Sequence, residues 1–142
     1  MRAILLPMPD GDFALPVEAV REVAAAPPVT ALPGVPRPVL GIFNLRGEVL
    51  PVLDTMAALG GESGGSAAYA VVAASGTDLV ALAASAMPSI VDLIGPAQPS
   101  ETPGTAGNYR FQGRLVTVID LPELLARAGL GAGALPEGTG AR

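Results

Sequence analysis

Short apolar runs alternate with clusters of Pro, Gly and Asp along the chain, and this pattern predicts strands joined by tight turns. The apolar residues 3–8 are followed by the turn 9–12 and by a second apolar run at 13–17, which predicts an antiparallel hairpin. Residues 17–23 are too few for periodicity to separate one short helical turn from a bent strand. A proline-laced loop at 27–38 follows.

A second hairpin is predicted by two apolar runs, residues 39–45 and 48–53, which close around Arg46 and Gly47. A two-residue turn needs positive φ, a conformation that glycine adopts readily, so we expect Gly47 to shape this turn. Residues 54–59 then predict a short helix that ends at two glycines.

The whole pattern occurs twice. After a Gly/Ser-rich linker at 60–67, residues 69–74 and 79–83 repeat the first hairpin. Residues 109–119, with Gly113 at the turn, repeat the second hairpin, and 120–125 repeat the helix. The shift is a constant 66 positions in the second hairpin and 66 or 67 in the first. One supersecondary unit is therefore used twice. Equivalent pairs include Gly47 and Gly113, Val49 and Leu115, Val52 and Val118, Leu53 and Ile119, Asp54 and Asp120, and Leu59 and Leu125.

Many short strands with little helix favour small barrels or a sandwich. Five or so strands per half, closed on themselves, would remove most exposed sheet edges. We therefore expect an all-β protein of two pseudo-symmetric five-stranded β-barrels with short helices, built from about residues 3–60 and 68–127 and meeting at a shared apolar interface. The Gly-rich residues 131–142 are expected to form a flexible tail.

Composition narrows the function. The chain has 142 residues, of which 50% are hydrophobic, so we expect a packed globular domain. Its net charge of −5 predicts no electrostatic attraction to nucleic acid or to an anionic membrane. It contains no His and no Cys, the usual ligands of zinc and members of common nucleophile–base pairs. We expect no metal, no cofactor and no catalytic residue. Since no apolar stretch is long enough to span a membrane, the expected location is the cytoplasm.

Asp54 and Asp120 recur between a strand and a short helix, which is typical of helix N-caps. The alternative is a catalytic carboxylate pair like that of aspartic proteases, whose Asp-Thr-Gly begins like Asp54-Thr55. Met56 stands where that motif needs Gly, and the second copy reads Asp-Leu-Pro, so we favour the caps.

Arg46, in contrast, has no equivalent, because Gln112 occupies its place in the second copy. Two interpretations stay open: a solvated surface arginine, or the anchor of a protein interface, where Arg is enriched. Glu18 and Glu22, in the same segment as Val20 and Val23, likewise either face water or belong to an edge that faces a partner.

The segments PVEAVREV, TALPGVP and GIFNLRGEVLPVLD, in this order, resemble the CheW family of chemotaxis coupling proteins. The resemblance spans about residues 3–127. It implies a single CheW-like domain over about 1–130 with two SH3-like five-stranded barrels, and an adaptor without catalysis. The implied partners are the regulatory domain of a CheA-type histidine kinase and the cytoplasmic tip of a methyl-accepting chemoreceptor, which would bring the protein to membrane receptor arrays.

The resemblance also implies the partner-binding residues, and an apolar groove between the barrels where a receptor helix would lie, although the groove is not assigned to residues. A coupling protein of another chemosensory-like pathway, such as twitching motility or transcriptional control, is the alternative. The residues carried over are Asn44, Leu45, Arg46 and Gly47 for the receptor- and kinase-contacting motif, and Val20, Glu22 and Val23 for the strand that contacts the kinase.

Overall fold

The computed structural model describes residues 1–63 and 67–130, so the predicted tail at 131–142 and three residues of the predicted linker lie outside it. Strands dominate the described residues and the helices are short, which confirms the all-β class. The strands are β1 Arg2–Met8, β2 Gly11–Pro16, β3 Val20–Ala25, β4 Val39–Leu45, β5 Glu48–Leu53, β6 Tyr69–Ser75, β7 Asp78–Ala84, β8 Ser89–Asp92, β9 Thr105–Phe111 and β10 Arg114–Ile119; the helices are α1 Thr55–Ala58 and α2 Leu121–Arg127.

The strands form two five-stranded sheets of the same design. The order is β3-β6-β7-β5-β4 in one, the Arg46 sheet, and β8-β1-β2-β10-β9 in the other, the Gln112 sheet. Replacing each strand by its equivalent in the repeat converts one order into the other, so the predicted pair of pseudo-symmetric five-stranded units is confirmed. The ladders do not close into complete barrels, because the first and last strands of each sheet do not pair with each other.

The prediction that each half of the chain supplies its own five strands is wrong. The first half gives β3, β4 and β5 to the Arg46 sheet but β1 and β2 to the Gln112 sheet. The seams are parallel, with β5 beside β7 and β10 beside β2. Parallel neighbours cannot be joined by a tight turn, so they are strands far apart in sequence. Apolar alternation predicts strands and their faces, but it does not specify these partners.

The two sheets share one apolar core, as the predicted common interface requires. Leu6 and Leu15 of the Gln112 sheet pack in the same cluster as Val71 and Leu82 of the Arg46 sheet, and all four are fully buried. Leu124 of α2 closes the cluster. Burying a leucine of this kind stabilises the fold by about 2 kcal/mol, so the sheets depend on each other.

The local predictions from the repeat agree with the structure at the turns and caps. Gly47 and Gly113 have φ values of 91° and 78°. Asp54 accepts a hydrogen bond from the Ala57 N–H at 3.2 Å, and Asp120 accepts one from the Glu123 N–H at 3.2 Å. Both aspartates therefore cap helices.

The segment left open between a helical turn and a bent strand contains both. A 3₁₀ turn covers Val17–Ala19, and β3 follows at once with an irregularity in its register between Val20 and Glu22.

Candidate functional site

Arg46 lies at the tip of the β4–β5 hairpin, in a loop of only two residues. The last pair of the ladder is Leu45 with Glu48, and Arg46 and Gly47 have φ values of 51° and 91°. Positive φ at both positions is the turn geometry that matches the twist of a hairpin. The side chain of Arg46 projects from this turn with 73% of its surface exposed.

Arg46 forms an ion pair with Glu22 of β3. The two residues are 24 positions apart, and β3 and β4 are opposite edges of the Arg46 sheet. The sheet therefore curls until its edges approach each other, and a side-chain bond joins them where the backbone ladder does not. Since Arg46 is largely in water, the pair contributes well under about 1 kcal/mol to stability. Its main effect is to fix where the guanidinium lies.

The structure thus brings the two sequence-predicted segments together, but their side chains differ in exposure and in packing. Val23 presents an apolar side chain that is 41% exposed. Val20 packs against the core between the sheets, and Leu45 packs against the interior of the Arg46 sheet. The exposed residues of the site are Asn44, Arg46, Gly47 and Val23, and Glu22 beside them is partly buried. Val20 and Leu45 are also partly buried and mainly hold their strands in place.

Two further features of the site concern Asn44. Its side-chain oxygen accepts a hydrogen bond from the Gly47 N–H at 2.8 Å, across the turn. Val49, which pairs with Asn44 in the ladder, is 49% exposed and was not predicted as a site residue. Its outward position is consistent with strand alternation, but a valine in a strand is normally assigned to the core.

An apolar groove lies between the two sheets, beside the start of β3. It has a volume of about 510 Å³. Pro16 and Ala19 line one side and the β6–β7 turn at Gly76 lines another, while Ala106 and Leu121 come from β9 and α2. These residues could not be assigned from the sequence, since they come from five separate segments of the chain.

The pseudo-symmetry of the repeat gives a second position equivalent to this groove, and at that position hydrogen bonds join the two sheets. Ser85 donates two hydrogen bonds to the Pro7 carbonyl oxygen, from its N–H at 3.0 Å and from its hydroxyl at 2.9 Å. Strand register makes Glu18 the equivalent of Ser85 and Ala74 the equivalent of Pro7. On the Glu18 side the 3₁₀ turn carries the chain past β6, and the groove opens between them.

Two negative findings apply to the described residues. None of their acidic side chains gather in a group of three or more that could hold a metal ion. No helix among them has the length and apolar character needed to cross a membrane.

Comparison with known proteins gives three results. A family model described as the CheW-like domain matches residues 2–129. Over 51 residues the chain is 47% identical to the chemotaxis protein CheW of Rhizobium meliloti (strain 1021) and 45% identical to a probable chemotaxis protein CheW of Rhizobium etli. Each match covers 36% of this chain and 33% of the relative, so the chain spans about a third of the length of these curated relatives.

The third result concerns the fold. The structure is similar to the crystal structure of the scaffolding protein TtCheW from Thermoanaerobacter tengcongensis, with a TM-score of 0.78 and 20% sequence identity. The alignment covers 87% of this chain and 86% of that chain. The family-model match over residues 2–129 confirms the resemblance seen in the sequence: the chain belongs to the family of CheW-like domains.

Proposed function

We propose that this protein is a non-catalytic adaptor that couples a chemoreceptor to a CheA-type histidine kinase in chemotaxis signal transduction. The observation that carries the proposal is Arg46, which the fold does not need but which Glu22 holds at an exposed tip. An exposed, pre-oriented arginine is the kind of residue that dominates protein interfaces. Membership of the CheW-like family supports the assignment of the partner.

We assign the kinase contact to the turn at Arg46 and to β3. Glu22 and Arg46 present opposite charges side by side, and Val23 adds exposed apolar surface. An interface core of apolar surface with a charged pair at its rim gives both affinity and orientation.

We assign the receptor contact to the groove between the sheets. Its lining is mostly apolar, and a groove of about 510 Å³ can accept the apolar side chains along one face of a helix. Because the groove is walled by both sheets, receptor binding would depend on the packing of the whole domain.

The kinase contact is tested by calorimetric titration of this protein into the isolated regulatory domain of a CheA-type kinase from the same organism. We expect Arg46→Ala to weaken binding by about 2 kcal/mol, roughly thirtyfold, if Arg46 is the anchor. The matched control is Gln112→Ala, which truncates the equivalent turn residue of the other sheet and should bind like wild type.

Two results would contradict this assignment. Equal binding by Arg46→Ala and wild type would leave Arg46 as a solvated turn residue. Failure of wild type to bind would reject the CheA-type partner and direct the titration to the kinase of another chemosensory pathway.

The receptor contact is tested with a helical peptide from a chemoreceptor tip. Ala106 is exposed and lines the groove, so Ala106→Arg places a charge in the apolar groove without overpacking the core. We expect this variant to lose peptide binding about tenfold or more while binding the kinase domain normally. Ala126→Arg, on the exposed side of α2, is the matched control. Equal peptide binding by both variants would remove the groove from the proposal.

A further inference from the structure

Asn44 is in the part of the sequence that the resemblance assigns to partner contact, yet its side chain is engaged within the turn. Its oxygen accepts the Gly47 N–H at 2.8 Å. In a two-residue hairpin the N–H of the second loop residue is outside the ladder, so without Asn44 it would bond only to water. The bond joins Asn44 and Gly47, the residues that flank Leu45 and Arg46 in the sequence.

The second copy of the repeat shows that the hairpin forms without such a bond. Arg110 occupies the place of Asn44, and a guanidinium has no acceptor to offer. The turn at Gln112 and Gly113 nevertheless has φ values of 53° and 78°, close to those of the Arg46 turn. The Asn44 bond is therefore not what makes the chain turn.

The bond occurs in the copy whose turn carries the exposed charge. Arg46 adopts the left-handed conformation, which is disfavoured for residues with a side chain, so an unbraced turn exchanges with other conformations more readily. A second bond across the loop narrows that range and keeps the Arg46 side chain directed toward Glu22.

We propose that Asn44 is a positioning residue for Arg46: it braces the turn through the Gly47 N–H and lowers the entropic cost of binding, rather than contacting the partner. The inference deepens the proposed function and rests on it for the identity of the partner. Pre-organising a binding residue raises affinity without adding a contact.

The bond itself is tested by amide hydrogen exchange in the free protein, measured by NMR. Gly113 in the same spectrum is an internal control, because its turn has the same backbone but no equivalent acceptor. After correction for intrinsic rates, we expect Gly47 to exchange about fivefold more slowly than Gly113. Asn44→Ala should abolish the difference, and Arg110→Asn should slow exchange at Gly113. An unchanged Gly47 rate in Asn44→Ala would overturn the inference.

The effect on binding is tested with a double-mutant cycle against the kinase regulatory domain. We expect Asn44→Ala to weaken binding about fivefold with an unchanged thermal midpoint, and to have no effect in the Arg46→Ala background. An effect that persists in that background would mean that Asn44 contacts the partner itself, and no effect in either background would mean that the brace does not position Arg46. Both results overturn the inference.

If wild type does not bind the kinase domain, the proposed function fails separately. The inference is then decided by the backbone order parameter of Arg46 in the free protein, which must fall in Asn44→Ala. An equal order parameter in the two proteins would overturn it.

Discussion

The Arg46 sheet and the Gln112 sheet have the same strand order, the same parallel seam and the same turn backbone, but their ion pairs differ. In the Arg46 sheet the turn residue itself pairs with the opposite edge strand, whereas in the Gln112 sheet Arg114, which follows the turn, pairs with Asp12 of the neighbouring strand β2. Arg46 pairs with Glu22, whereas the equivalent positions are Gln112 and Ser89. Because the Gln112 turn adopts the same conformation, folding explains the turn but not the arginine. The difference between two copies in one chain thus separates positions that the fold requires from positions that it does not require.

The same comparison shows that exposed apolar side chains alone do not distinguish the Arg46 sheet from the Gln112 sheet. Val23 and its equivalent Ile90 are 41% and 64% exposed, and Val49 and its equivalent Leu115 are 49% and 53% exposed. The fold places an aliphatic residue at each of these outer positions in both sheets. Exposed apolar surface is therefore a feature of both copies of the repeat, and what distinguishes the Arg46 sheet is an ion pair between its turn residue and the opposite edge strand.

In each sheet a loop also pairs with one edge strand, and the two loops approach their strands at different distances. Thr30 pairs with Ile42 beside β4, and Gln98 pairs with Asn108 beside β9. Both contacts have a glycine at the crossing, each with a φ of 156°. A Cβ on Gly41 would lie 2.1 Å from the Thr30 carbonyl oxygen, and one on Gly107 would lie 3.2 Å from the Gln98 carbonyl oxygen.

The largest effect that we expect in this comparison is that of Gly41→Ala. The methyl group cannot coexist with the Thr30 backbone, so the two hydrogen bonds between Thr30 and Ile42 must break. We expect a loss of about 3 kcal/mol in the free energy of unfolding, measured by urea denaturation. The matched variant Gly107→Ala shares the backbone strain of the same φ of 156°, but its Cβ would lie 3.2 Å rather than 2.1 Å from a carbonyl oxygen, so we expect a smaller loss of about 1–2 kcal/mol. Equal losses would show that the two loops fit their sheets equally closely.

The smallest effect concerns the ion pair itself. The double variant Ser89→Glu with Gln112→Arg places the same two charges on the Gln112 sheet, where the backbone is equivalent. We expect a coupling energy of about 0.5 kcal/mol, similar to that of Glu22 with Arg46 in its own double-mutant cycle, and both should fade at high salt.

Unfolding cycles at low and high salt measure this coupling. Coupling at the native pair but none at the transplanted pair would mean that the two sheets curl differently at this end. The transplanted pair should not create a second copy of the proposed kinase contact, because Asn44 and Val23 have no identical residue there.

The sequence by itself determined the elements whose causes are local. Residues 39–45 and 48–53 were predicted as strands and are strands, since alternation and the glycine at the turn act over a few residues. The aspartate caps and the twofold repeat were equally readable. The short strand β8 was missed, because four mostly exposed residues carry little pattern and are strand only through pairing with β1.

Only the tertiary structure decided which strands are neighbours and which distant residues meet. The exchange of hairpins between sheets follows from burial of a common core and parallel seams, neither of which has a local signature. The contact of Arg46 with Glu22 requires the sheet to curl until opposite edges approach. The groove is open beside Glu18, whereas at the equivalent position Ser85 is hydrogen-bonded to Pro7 and the two sheets are in contact. The difference arises because the segments that contain Glu18 and Ser85 follow different paths past equivalent strands. The repeat and the turns can be read along the sequence, whereas the contact between Arg46 and Glu22 and the groove arise only when the sheets pack.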